Sequence, residues 1–218
     1  MRLLKDNALT IALLTLFALC IGGQWIAGWH VEIEDARRHG QPQLTLLAYA
    51  ASPQFLSSVF ENWESEFLQM AAYVVLTALL IQRGSAESKD PDAPSRDGNL
   101  EGKSYDKDAP SILRKGPMWR AIYARSLGLV LFLLFVASFA MHWVQSANAA
   151  AEEALDHGEI APTLLAYLWD PQLWFESFQN WQSELLSTAV LVVLSIYLRQ
   201  RESPESKAVA APHSKTGA

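Results

Sequence analysis

Residues 60–68 read Phe60-Glu61-Asn62-Trp63-Glu64-Ser65-Glu66-Phe67-Leu68, and residues 178–186 read Phe178-Gln179-Asn180-Trp181-Gln182-Ser183-Glu184-Leu185-Leu186. The second stretch is the first displaced by 118 positions. Both keep an Asn-Trp pair, a Ser and a Glu, and both open an apolar run. The same displacement pairs Phe17 with Phe135, Trp25 with Trp143, and His39-Gly40 with His157-Gly158. It pairs Thr45-Leu46-Leu47-Ala48-Tyr49 with Thr163-Leu164-Leu165-Ala166-Tyr167, and Glu87-Ser88-Lys89 with Glu205-Ser206-Lys207. The register holds without a gap from about residue 7 to residue 89. A fixed internal period decides how the rest is parsed. Repeat 1 covers 1–89, a polar linker covers 90–117, repeat 2 covers 118–207, and a tail covers 208–218.

Half of the 218 residues are hydrophobic, yet mean hydropathy is only +0.08. Such an average hides segregation into very apolar and very polar blocks. Blocks 8–29 and 121–144 are long enough to cross a hydrocarbon core, which needs roughly 20 helical residues. Blocks 67–82 and 185–198 are shorter and borrow from the residues before them. The spans are then predicted over about 8–29, 63–82, 121–144 and 181–200. The fold class expected is all-α: an integral membrane protein of four transmembrane helices, built as two tandem helical hairpins. Each hairpin enters from the same side, so the repeats are parallel.

Basic residues set the orientation. Residues 30–66 hold Arg37 and Arg38 against six carboxylates. Residues 144–184 hold no base against seven carboxylates. The other 15 of the 17 Lys and Arg lie in the N-terminal stub, the linker with its flanks, and the C-terminal end. Both termini and the linker are therefore expected in the cytoplasm. This asymmetry reads as a membrane sorting signal and not as affinity for nucleic acid. The opening Met1-Arg2-Leu3-Leu4-Lys5 imitates a secretory signal, but no small-x-small site follows, and an equivalent helix recurs in mid-chain. The single cysteine, Cys20, lies inside an apolar block and reads as an unreactive thiol.

The first helix is predicted to run on to His39, with Gly40 as its left-handed stop and Pro42 preventing resumption. Trp25 and Trp29 suit a membrane interface, as do Trp63 and Trp181. Asp35 with His39, and Glu153 with His157, stand one turn apart. Two ligands make an incomplete metal set, so a solvated helix end is the better reading, and no metal or cofactor is expected. Ser52-Pro53 and Asp170-Pro171 each present an N-cap followed by Pro at the first helical position.

Counting back from Arg83 and Arg201 places Glu66 and Glu184 about a turn inside the outer boundary. Asn62, Glu66 and Gln69 share one helix face, as do Asn180, Glu184 and Ser187. A carboxylate at that depth is costly and normally faces protein or water. These six residues form the candidate polar cluster. Each Glu is expected to be backed by the Asn one turn earlier. The linker composition, rich in Ser, Asp, Pro and Lys, reads as disordered or loosely ordered.

The two Asn-Trp motifs, the paired His-Gly loops and the Glu-Ser-Lys ends together resemble a family of uncharacterised bacterial four-span membrane proteins, a domain of unknown function. The resemblance covers nearly the whole chain. It implies a bacterial inner membrane location and no activity. No nucleophile triad, Cys-based metal set, phosphate-binding Gly loop or His-rich membrane motif is present. The expectation is a non-enzymatic structural or interaction role. Its partners would be the lipid bilayer and a membrane-protein partner or a second copy of the chain. The alternative is a small transporter or channel using the Glu pair.

Overall fold

The computed structural model describes residues 2–95 and 97–217. Among these the chain is all-helical, with nine α-helices, one 3-10 helix and no strand. The α-helices are α1 (Arg2–Asp6), α2 (Ala8–His39), α3 (Leu46–Tyr49), α4 (Pro53–Leu79), α5 (Leu100–Lys103), α6 (Pro117–Tyr123), α7 (Ser126–Asp156), α8 (Leu164–Tyr167) and α9 (Pro171–Tyr197). The 3-10 helix, Ser111–Lys115, precedes α6.

The displacement of 118 reappears in the backbone. Helices α3 and α8 correspond residue for residue, and so do α4 and α9. Local chemistry explains the shared ends. The Thr45 and Thr163 hydroxyls accept from the Ala48 and Ala166 N–H groups, satisfying donors that a helix start leaves open. The Asp170 carboxylate accepts from Gln172 N at 2.8 Å, and Ser52 Oγ accepts from Phe55 N. Gly40 (φ 70°) and Gly158 (φ 72°) adopt the left-handed conformation that halts a helix at little cost for glycine.

One expectation is met in part and two differ. Among the described residues, only α2 and α7 are long and apolar enough to cross a membrane. Helices α4 and α9 fall short because the polar motif occupies their middle, and they end at Leu79 and Tyr197, before the expected 82 and 200. The third block does not start as one helix at 121: Ala124 and Arg125 form a turn between α6 and α7. Helix α7 instead begins at Ser126, the counterpart of Ala8, so the repeat register overrides the apolar run. The linker is also more ordered than its composition suggests. Asn99 caps α5, Ser104 is buried with its hydroxyl donating to the Leu100 carbonyl, and Arg120 pairs with Glu101.

The chain forms two compact units: Met1–Val59 with Met141–Leu168, and Phe60–Ala140 with Trp169–Ala218. Each draws on both repeats. In the first unit, Trp25 Nε1 donates to the Leu46 carbonyl and Trp143 Nε1 to the Leu164 carbonyl, both at 2.9 Å. These indoles tie each long helix to the short helix after it. Tyr49 and Tyr167 are buried beneath. The Ser57 and Ser146 hydroxyls meet at 2.5 Å. Gly28 admits Tyr49, whose hydroxyl a Cβ there would strike. In the second unit, Trp181 is the hub of an aromatic cluster. Its ring centroid lies 5.3 Å from Phe178 and 5.9 Å from Phe135. Phe139 adds a contact with Trp174 at 5.8 Å. Leu173 and Ser177 are fully buried on the same helix.

Candidate functional site

Within the second unit, α4 and α9 meet along a polar seam. Gln69 Nε2 shares its amide hydrogens among the Glu184 carbonyl at 3.2 Å, Ser187 Oγ at 3.2 Å and Thr188 Oγ1 at 2.7 Å. Asn180 Nδ2 donates to Glu61 Oε1 at 2.5 Å and to the carbonyl of Glu176 at 3.3 Å. Trp181 Nε1 donates to Glu64 Oε1 at 3.0 Å. The hydroxyls of Ser65 and Ser183 both turn back to the carbonyl three residues earlier. Those two hydroxyls are therefore taken up within their own helices.

Of the six cluster residues, the structure brings Gln69 to the Glu184 carbonyl and to Ser187. Asn180 crosses to Glu61. Asn62 and Glu66 are exposed, although Glu66 stands within electrostatic reach of Glu184. The buried carboxylate of the motif is Glu64, at 0% exposure. Looking for residues kept in both copies passes over it, because its counterpart is Gln182. The signal lay in the mismatch itself: an acid facing a helix with an extra aromatic, Trp174, where repeat 1 has Leu56. His142 is also fully buried, and its counterpart is Gln24.

Trp181 is occupied by its aromatic cluster and by Glu64, and Trp63 packs edge-on to Phe60 at 5.5 Å. At the two helix ends, His39 Nδ1 and His157 Nδ1 lie 3.1 Å and 2.8 Å from the carbonyls of Asp35 and Glu153. The His157 imidazole is held above its ordinary value, first by that backbone bond and then by the acids around it. Each ring thus sits against the last carbonyls of a helix, at the negative end of its dipole.

A second polar group lies beyond the C-terminal end of α4. The Tyr73 hydroxyl donates to Glu87 Oε2. Ser88 Oγ accepts from Gln82 N and Ser206 Oγ from Gln200 N, both at 2.9 Å. The duplicated Glu-Ser-Lys segments therefore make the same turn. Their lysines part company. Lys89 Nζ donates to the exposed Ala78 carbonyl at 2.6 Å. Lys207, 1% exposed, donates to the carbonyls of Gly84, Pro212, His213 and Lys215. With Thr216 Oγ1 accepting from Gly84 N, the tail clasps the end of repeat 1.

A family model described as a domain of unknown function, DUF6766, matches residues 1–218. The chain belongs to the DUF6766 family. No curated protein and no solved structure matches it. The DUF6766 description carries no activity, so a functional reading rests on the chemistry of the seam and of the helix surfaces.

Proposed function

We propose that this DUF6766 chain is an integral membrane protein with a non-enzymatic structural or interaction role. The observation that carries the reading is the surface of α2. None of its most apolar 18-residue window is buried within the chain. Leu9, Leu13, Leu16 and Leu19 stand 57–73% exposed. A helix that is apolar all round needs an apolar surrounding, and exposed apolar area on this scale marks a membrane or a partner surface. Helix α7 repeats the pattern, with only 11% of its window buried. Four crossings, cytoplasmic termini and a bacterial inner membrane go further than the two apolar helices do. They rest on the basic residues of stub, linker and tail. The seam, in which amides and hydroxyls satisfy one another, suits a fixed packing surface. The occupants of the outer faces would be lipid together with a membrane-protein partner or a second copy.

Fusion of a fluorescent protein after Ala218 and cysteine scanning test the orientation. The fusion is expected to glow in the cytoplasm, and cysteines within 144–184 to react with an impermeant reagent in intact cells. Labelling only after the inner face is opened overturns it. A transporter or channel is the second reading, favoured by Glu66 and Glu184 within mutual reach and by fully buried Glu64. Proton or cation flux in liposomes that Glu66→Gln plus Glu184→Gln abolishes would promote it.

A further inference from the structure

Between α4 and α9, toward their C-terminal ends, lies an open cavity of about 310 Å³. That is at the small end of the roughly 300–1,000 Å³ typical of ligand sites. Its walls are mainly apolar, with Leu76, Leu80, Leu185 and Val192 among them. Leu76 and Leu80 are about half exposed or more, at 48% and 62%. One end is polar and acidic. There Glu87 takes the Tyr73 hydrogen bond on Oε2, while its Oε1 is buried and accepts no hydrogen bond among the described residues. The group within side-chain reach of Glu87 is a second carboxylate, Glu205.

Two acids side by side call for a cation or a shared proton. The lysines of the same two segments do not supply the charge, since Lys89 and Lys207 are committed to backbone carbonyls. The nearby Arg83 pairs with Asp92, and Arg201 with Glu202. An inorganic ion would want several oxygen ligands and would leave the apolar walls unexplained. A shared proton would leave the cavity unexplained. An amine on a hydrophobic body answers both features. The Tyr73 ring, which also lines the cavity, adds a face to which a cation is attracted.

We propose that this cavity is a binding site for a hydrophobic organic cation, its ammonium against Glu87 and its apolar body along Leu76, Leu80, Leu185 and Val192. The probe is radiolabelled 1-naphthylmethylamine, with 1-naphthylmethanol as its neutral counterpart, in equilibrium dialysis against the full chain in a nonionic detergent. Saturable binding of one amine per chain is expected. Loss of a charged partner predicts at least about tenfold weaker binding for Glu87→Gln and a smaller loss for Glu205→Gln. The alcohol should bind about tenfold more weakly than the amine and be indifferent to Glu87→Gln. Leu76→Trp, at a half-exposed position, fills the cavity without removing the acid and should abolish saturable binding. It decides the matter should Glu87→Gln not fold. Uptake that never saturates, equal binding of amine and alcohol, or unchanged amine binding in Leu76→Trp each overturns the site and leaves a shared proton.

Discussion

The two copies of the nine-residue motif have nearly the same letters and different surroundings. In repeat 1, Glu64 is fully buried and accepts the Trp181 indole hydrogen bond. In repeat 2 the same position is Gln182, exposed, donating to the Gln179 carbonyl of its own helix. Glu61 meets Asn180, whereas its counterpart Gln179 is exposed. The copies therefore do not mirror each other across α4 and α9. At the motif repeat 1 supplies the carboxylate acceptors and repeat 2 the donors and the aromatic cluster, whereas further along the seam Gln69 of repeat 1 donates to repeat 2. The two helices match in extent, and the bonds between them at the motif use the positions where the copies differ, Glu61 and Glu64.

The largest effect should come from removing the buried member. Glu64→Leu strands the Trp181 N–H in a dry site and is expected to cost about 2–4 kcal/mol. For a chain of this size that is a fall of about 4–16 °C in apparent Tm in detergent. Glu64→Gln, which can still accept the bond, should lose less. Gln182→Leu should stay within about 0.5 kcal/mol. Thermal unfolding of the three variants checks this. Equal losses at 64 and 182 would mean that the copies are equivalent after all.

How much of this was legible depends on the range of the interaction. Ser52, Asp170 and Gly40 announced their roles because a cap or a left-handed stop involves neighbours a few residues away. The duplication was legible because it needs only the register. The Trp25 bond to the Leu46 carbonyl was not, since an indole at 25 has many possible partners and burial selects one. Trp25 looked like an interfacial anchor for the same reason that it makes a good tie: a large apolar body with one donor. Glu66 looked important because both copies kept it, but identity between copies reports shared ancestry, and burial depends on the partner helix. The four-span count rests on sequence at α4 and α9, because a 20-residue ruler measures length while the acids of the motif lower their hydropathy below that of α2 and α7.

The second comparison is between the lysines of the Glu-Ser-Lys segments. Lys207→Met leaves the buried Gly84 carbonyl and three part-buried carbonyls without their common donor and should cost about 1–3 kcal/mol. It should also loosen the tail, exposing 208–217 to proteolysis. Lys89→Met, at an exposed lysine, should change stability by less than about 0.5 kcal/mol and leave proteolysis unchanged. Limited proteolysis with mass spectrometry reads both. Early cleavage of the tail in wild type would show that the clasp does not hold.

The smallest effect separates the two glutamates of the same segments, and it appears in pH. Burial pushes the Glu87 carboxyl above its ordinary 4.5, the Tyr73 hydrogen bond draws it down, and Glu205 pushes it up again. A carboxyl raised on folding binds its proton more tightly in the folded chain. The stability it contributes is fully present below 4.5 and is lost as pH rises through the folded value. Between neutral pH and about pH 5, wild type should therefore gain stability relative to Glu87→Gln as pH falls. Glu205→Gln removes one of the charges that raise Glu87, so its curve should lie between the two. Solvent reaches Glu87 from the open side and screens the effect, so a slope difference is the proper readout and not a shift at one pH. Apparent Tm measured from pH 7.5 to 4.5 on the three proteins decides it. Parallel curves for wild type and Glu87→Gln would show that Glu87 titrates alike in the folded and unfolded chain. A wild type that loses stability toward low pH, relative to Glu87→Gln, would mean that a cation already neutralises the carboxylate pair.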